Sequence, residues 1–351
     1  MRWLLVHPGP GWSVADVFTG WSEALTSIGE QVEEYALDAR LKFYKNTLVE
    51  TGDLLDCGCP GVRPYLDREQ AIQLAVDGLL GAAYRLWPDV ILCISAFFMP
   101  PWMLEVLRGR GHKIVMVMTE SPYQDEFQLR MARYAHLTLV NDPVNLDAYK
   151  AIGPAEYMPH AYRPSVHYPA PAGTQAEYDL AFIGTGFPSR ARFFAQMDLA
   201  GLNVCLRGLW MDLPEDSPLR DWTATDSDDC VDNDETAAIY RRSRTGINFY
   251  RREAEDAHEG EGWAMGPREV EMAACGLWFA RDPRPESDAT LGMLPAFSSP
   301  AEASDLIRWA VANPRGASRA AGQARAAVAD RTFTSHARQL IRLLDRQPVT
   351  M

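Results

Sequence analysis

The sequence is poor in cysteine, short of positive charge, and has no long hydrophobic run. Its six cysteines are scattered. The one close pair, Cys57 and Cys59, is a Cys-x-Cys, one residue short of zinc-knuckle spacing, and no second Cys or His pair follows at a finger-like distance. Reduced thiols and no metal are therefore expected. Lys and Arg total 34 against 47 Asp and Glu, a net charge of −13. That balance argues against broad, sequence-independent nucleic-acid binding, which needs a basic stripe, while leaving room for a small basic groove. The longest apolar run, at 114–118, is far too short to span a membrane. Near the first residues, Asp16 and Glu23 interrupt the apolar positions early, so no secretory leader and a cytoplasmic location are expected.

Several ligand motifs are missing too. His7-Pro-Gly-Pro-Gly-Trp-Ser13 lacks the third glycine of a dinucleotide fingerprint, and no Gly-Lys-Ser/Thr follows it. The acidic run at 226–235 fails as a calcium loop, because Val231 and Ala237 stand where glycine and glutamate are required. A solvated loop with an N-cap before a helix explains it. Asp226-Ser-Asp228 lacks the flanking apolar strand that a metal-binding Asp-x-Asp would need.

What is present is a core-forming composition, 47% hydrophobic with 10% aromatic, on a chain of 351 residues. Such a length usually exceeds one core. Strand and helix patterns alternate, which implies mainly parallel sheets. Strand 3–6 is followed by a glycine-bearing loop with Gly11, Trp12 and Ser13 and then a helix at about 14–28. Further strands are expected at 32–37, 87–94, 114–118 and 137–140, with helices at 67–86, 103–108, 127–135 and 146–151. Prolines 159, 164, 169 and 171, with Gly173 and Thr174, read as a domain boundary. A second series then opens with strand 178–183, the loop Gly184-Thr-Gly-Phe-Pro-Ser-Arg190 and another helix. It continues with strand 204–207, helix 235–242, strand 245–250, helix 267–275 and strand 277–280. An irregular Pro-rich stretch and helices at 301–312, 315–330 and 333–346 complete it. The expected fold is α/β, with two Rossmann-like halves, each opening strand–Gly loop–helix, facing each other across a cleft.

The densest motif is Gly266-Pro-Arg-Glu-Val-Glu-Met-Ala-Ala-Cys-Gly276. Pro267 suits the first turn of a helix, Gly276 suits a left-handed cap, and Arg268 and Glu271 share one face. Together with Gly246-Ile-Asn-Phe249 and Arg331-Thr-Phe-Thr-Ser-His-Ala-Arg338, it resembles the C-terminal half of GT-B glycosyltransferases. The closest group is the CgeB-like (spore maturation protein) branch of the family 1 and family 4 types. The resemblance covers about 178–345; over 1–160 it rests on architecture, plus a strand ending in Glu-Ser-Pro-Tyr.

The resemblance implies a hexosyltransferase-type enzyme (EC 2.4), moving a sugar from a nucleotide diphosphate sugar to a hydroxyl without a metal or other cofactor. The acceptor stays open among a glycan, a protein, a small molecule and a modified DNA base. The implied divisions are 1–165 on the acceptor side, a linker at 166–177, 178–332 on the donor side, and a helix at 333–351 that returns to the N-terminal domain. Glu271 matches the glutamate that accepts from the ribose hydroxyls, and Arg268 the arginine near the diphosphate. The alternative for Arg268 is an intrahelical pair with Glu271 or Glu269. Gly184, Gly186, Arg190 and Gly266 are candidates to approach the phosphates, and Trp210 is either a nucleotide-base neighbour or a core tryptophan. One departure stands out. Many retaining members carry a second glutamate eight residues before the first, and Trp263 occupies that place. Glu259 or Glu261 are the substitutes at hand. The stereochemical outcome thus stays open, as does a non-catalytic nucleotide-sugar binder. An inverting reaction needs a general base; Glu120 comes first, then Asp16 and His7.

Overall fold

The computed structural model describes residues 1–9, 14–41, 43–44, 68–210, 213–223, 231–253 and 262–346. Two compact units are present. The first comprises 1–120, 125–140 and 146–157; the second comprises 121–124, 141–145 and 158–351. The segments 121–124 and 141–145, which lie within the first series in the sequence, thus group with the second unit.

The first unit holds a six-stranded parallel sheet: β1 (Arg2–His7), β2 (Gln31–Ala36), β3 (Val90–Ile94), β4 (Lys113–Met118), β5 (Leu137–Val140) and β6 (Ala155–Tyr157). Their order is β2-β1-β3-β4-β5-β6. β1, β3, β4 and β5 are buried on both faces and read as near-continuous Val, Ile, Leu and Met, as parallel strands covered on both sides must. Helices α1 (Ala15–Ser27), α2 (Arg68–Leu86), α3 (Pro101–Gly109), α4 (Asp125–Ala132) and α5 (Leu146–Ile152) connect them. β6 is three residues long and follows the helix after β5, too short for a periodicity signal. Because β2 and β3 lie on opposite sides of β1, the winding reverses between β1 and β3.

The second unit holds a four-stranded parallel sheet of β7 (Tyr178–Ile183), β8 (Val204–Arg207), β9 (Ser243–Asn248) and β10 (Trp278–Arg281), ordered β10-β9-β7-β8. Its winding reverses between β7 and β9. Ligands of open α/β sheets bind outside the carboxyl ends of the strands at such a reversal. The helices are α6 (Pro188–Ala195), α7 (Asn233–Arg241), α8 (Pro267–Ala274), α9 (Pro285–Thr290), α10 (Pro300–Ala312), α11 (Pro314–Ala327) and α12 (Phe333–Arg346). The one-turn α9 falls in the stretch expected to be irregular, because three prolines near it mask a helical pattern. Asp232 caps α7, its carboxylate accepting from the Glu235 N–H at 2.8 Å, which accounts for the described end of the acidic run. Phe333, His336, Ala337, Leu340 and Leu344 form the buried face of α12. Each unit has its own hydrophobic core, and no described helix is long and apolar enough to cross a membrane.

Gly208, just after β8, has φ +116°, and a Cβ there would stand 2.5 Å from the Gly184 carbonyl oxygen. Gly208→Ala should therefore lower the unfolding free energy in urea melts by about 2 kcal/mol or more, adding a backbone clash to left-handed strain. An unchanged midpoint would contradict this account of the β7–β8 edge.

Candidate functional site

Helix α8 begins where its sequence places it. Gly266 is its N-cap and Pro267 its first residue, while Gly276 beyond its end has φ +71°. Met272 and Cys275 are buried beneath it. On the other face Arg268 Nη1 lies 2.6 Å from Glu271 Oε2 and 3.1 Å from Asn233 Oδ1, and Asn233 Nδ2 donates to Glu271 Oε1 at 3.3 Å. The intrahelical ion pair named as the alternative for Arg268 is thus formed. Asn233, the first residue of α7, turns that pair into a triangle that no local pattern announced. The Glu271 carboxylate is almost wholly covered, and of its roughly four lone-pair directions two are taken by these donors.

Immediately before α8, four consecutive backbone N–H groups point at carboxylates. Those of Trp263 and Ala264 donate to Asp142 Oδ2 at 2.8 and 3.0 Å. The Met265 N–H donates to Glu286 Oε2 at 2.8 Å. The Gly266 N–H donates to Glu269 Oε2 and to the Tyr250 hydroxyl oxygen, both at 3.0 Å. Each acceptor is buried and further supported. Glu286 Oε1 takes Arg331 Nη2 at 2.7 Å, and Glu269 takes the Ser287 hydroxyl at 2.7 Å and the Tyr250 hydroxyl. Burial pushes the Glu269 carboxyl up to about 7, against the pull of Tyr250, Ser287 and Gly266 as donors. Gly266, expected beside a phosphate, therefore has its N–H committed to its own helix cap. Glu259 and Glu261 lie outside the described residues, but a carboxylate does stand beside Trp263, that of Asp142.

At the β7–β9 reversal stands Arg190. Its Nε donates to the Phe249 carbonyl and its Nη1 to the Thr185 carbonyl, both at 3.0 Å, and its guanidinium lies near the rings of Phe182 and Phe187. Burial draws its pKa down to about 10, which still leaves it charged at neutral pH. Among the described residues no carboxylate hydrogen-bonds or ion-pairs with it. The start of α6 is less open than its glycine loop suggested. Glu253 accepts from the Ser189 N–H and hydroxyl, both at 2.8 Å. The N–H groups of Gly184 and Gly186 donate to the carbonyls of Arg207 and Leu209. Gly186 matters sterically, since any Cβ there would collide with the indole of Trp210. Trp210 itself packs among Phe182 and Phe194 at centroid distances of 5.9 Å, which is the core alternative.

In the first unit, His7 ends β1 and Glu120 follows β4 by two residues, with β3 between those strands. The Glu120 backbone N–H donates to Gln128 Oε1 at 3.2 Å. Thr119 Oγ1 lies 3.4 Å from the Glu120 carboxylate and 2.6 Å from Ser95 Oγ. The His7 imidazole stacks on Phe18 at 3.7 Å; burial lowers its pKa, opposed by Glu34 and Asp38, which favours the neutral ring. Asp16 lies in the first turn of α1. All three therefore stand at the carboxyl edge of this sheet. Gly11, Trp12 and Ser13 lie outside the described residues. Ser95, Ala96 and Phe98 carry φ of +59°, +53° and +63°, a run of left-handed non-glycine backbone at the end of β3. Strain of this kind concentrates at functional sites.

The family model described as "Glycosyl transferase-like" matches residues 190–343. No curated protein sequence matches the chain. Sucrose-phosphate synthase from Thermosynechococcus elongatus superposes with TM-score 0.64 at 14% identity, over 98% of this chain and 99% of that one. An alpha-glucosyltransferase in complex with UDP and a DNA containing an HMU base gives 0.62 at 12% identity, over 99% and 100%. The E. coli trehalose-6-phosphate structure bound with UDP-2-fluoro glucose gives 0.61 at 11%, over 99% of both chains. The fold is GT-B. The stretch that matches the glycosyl transferase-like model, 190–343, includes α8 with its arginine–glutamate face.

Sequence reading missed Asn233, Asp142, Glu286 and Arg284. The last two lie in Arg281-Asp-Pro-Arg-Pro-Glu286, a charged stretch directly after β10; charge at a strand's carboxyl end was the available signal. Asp142 carried none, lying 121 positions from the loop it holds.

Removing the Asp142 carboxylate would take away the acceptor of the buried Ala264 N–H and of the half-buried Trp263 N–H. Asp142→Ala should cost about 3 kcal/mol or more in denaturant melts. A second expectation concerns pH. The folded-state pKa of Glu269, about 7, lies above the ordinary 4.5, so its contribution is complete below pH 4.5 and is lost as pH rises through 7. Measured against Glu269→Gln, the wild type should lose stability on the order of 3 kcal/mol between pH 4.5 and 7 and then level off. Parallel stability–pH curves for the two proteins would refute it.

Proposed function

We propose that the protein is a metal-independent, cytoplasmic glycosyltransferase of the CgeB-like kind, moving a hexosyl group from a nucleotide diphosphate sugar to a hydroxyl. The donor occupies the C-terminal unit. The observation that carries this reading is Arg190, a buried guanidinium without a carboxylate partner at the β7–β9 reversal, on the sheet edge that also presents Arg268, Glu271 and Asn233. Arg190 attracts the diphosphate and stabilises the charge that gathers on it as the glycosidic bond breaks. Glu271 accepts from the ribose hydroxyls, a charge-assisted arrangement, while Arg268 and Asn233 hold its carboxylate in place. Gly184, Gly186 and Gly266 serve by absence of a side chain, letting the ligand and neighbouring rings approach the backbone. Trp210 supports the loop from the core.

The acceptor hydroxyl loses its proton to Glu120, a carboxylate at a strand's end with a Ser95–Thr119 hydroxyl pair beside it; His7 and Asp16 are the other groups on that edge able to do so. The net charge of −13 disfavours a modified DNA base as acceptor relative to a glycan, protein or small molecule.

Calorimetry with UDP-, GDP-, ADP- and TDP-sugars tests the reading. One nucleotide class should bind the wild type, and Glu271→Ala and Arg190→Ala should each weaken it by ~1.5–3 kcal/mol, about ten- to a hundredfold in Kd. If no donor binds, the enzyme reading fails. If a donor binds but no nucleotide is ever released, with or without acceptors, the protein is a nucleotide-sugar binder instead.

A further inference from the structure

Arg284 is the most unusual charged residue of the second unit. It follows β10 by three positions and is 5% exposed. Its guanidinium lies over the Tyr250 ring, 4.3 Å from the centroid, and Nη2 is 3.4 Å from the Tyr123 hydroxyl. Nη1 is buried with no hydrogen-bond partner. It presses on Gly262, where any Cβ would collide with it. Among the described residues no carboxylate pairs with Arg284, in contrast to Arg252, Arg268 and Arg331, each of which has one. A buried cation with no carboxylate in direct contact and one N–H group without an acceptor is costly, and a ligand that supplies an acceptor there relieves that cost.

The surroundings are those of an anion seat. Tyr123, which accepts from Arg284, also carries the Arg251 guanidinium 4.0 Å above its ring, and Arg251 reaches towards Phe187, the ring that packs on Arg190. Cations and rings thus alternate from Arg190 to Arg284 across the sheet's carboxyl edge. Arg190 and Arg284 differ in what they still lack. Arg190 has Nε and Nη1 on the Phe249 and Thr185 carbonyls at the ends of β9 and β7. Arg284 has Nη1 without a partner beyond the end of β10. A diphosphate at Arg190 is therefore one demand and the Nη1 of Arg284 another.

We propose that Arg284 recognises a second anionic group, a carboxylate or phosphate carried on a sugar, in addition to the donor diphosphate. The substrates would then include an acidic sugar: either the donor's glycosyl group, as in a uronic acid, or a phosphorylated sugar acceptor. The guanidinium's planar fork suits both anions. This rests on the donor reading above for the diphosphate, but the unpartnered Nη1 stands independently of it.

The test uses the full chain with UDP, UDP-glucose and UDP-glucuronate, or the same three ligands on whichever base the donor panel selects. Arg284→Gln is compared with the wild type, and Arg284→Lys serves as the charge-retaining control. A loss of about tenfold or more for the glucuronate alone, partly restored by Lys, supports the acidic donor. A KM increase of that size for glucose 6-phosphate but not glucose supports the phosphorylated acceptor. An equal loss for all three nucleotide ligands would overturn the proposal by assigning Arg284 to the diphosphate, and so would no change in any of these measurements. If the wild type binds no nucleotide sugar, the donor reading has failed separately. Inorganic phosphate then decides: a rise in Tm that Arg284→Gln diminishes keeps the anion seat, and equal rises in both proteins remove it.

Discussion

The second unit depends on one constraint: the loop 263–266 must present four successive N–H groups to a buried interior, and each has to find an acceptor. Asp142, Glu286 and Glu269 meet that demand together. The arrangement is reciprocal. Buried carboxylates are tolerated only when hydrogen-bonded, and the loop's N–H groups are tolerated only when accepted. The carboxylates differ in what else stabilises them. Glu286 has Arg331 as a counter-charge, whereas Glu269 has only neutral donors and is correspondingly drawn towards its protonated form. Because α8 starts at the end of this loop, the clamp also sets where Arg268 and Glu271 stand.

Around that frame the arginines divide by what neutralises them. Arg252, Arg268 and Arg331 are paired with Asp282, Glu271 and Glu286, and so act as structural ties. Arg190 and Arg284 meet carbonyls, aromatic faces and a phenol oxygen. Aromatic faces and carbonyl dipoles attract a guanidinium without cancelling its charge. Neither of these two guanidiniums is cancelled by a direct ion pair among the described residues, in a chain whose net charge is −13. That contrast is what a small anionic ligand would use to find this edge.

The architecture was largely legible in the sequence. Strands such as Ile114-Val-Met-Val-Met118 and helices such as α12 have a single reading of their periodicity, and the cap residues of α8, Gly266, Pro267 and Gly276, mark its ends by backbone chemistry alone. β6, at three residues, and α9, among prolines, were too short or too irregular for any period to register. The Arg268–Glu271 pair was visible from its i,i+3 spacing, which is a local fact. The carboxylates of Asp142 and Glu286 were not, because nothing near either residue specifies a partner.

By itself, then, the sequence determined the α/β alternation, the helix carrying Arg268 and Glu271, and the vacancy of a glutamate at Trp263. All of these follow from local propensity or from identities at fixed spacing. The tertiary structure alone decided which N–H groups are free and which arginines lack a counter-charge. The N–H groups of Gly184, Gly186 and Gly266 proved to be occupied, Trp210 proved to be core, and Arg284 proved to be buried with its Nη1 unpartnered. Satisfaction of a polar group depends on partners tens or hundreds of positions away, brought within 3 Å by sheet order and loop path. No window along the chain contains that information.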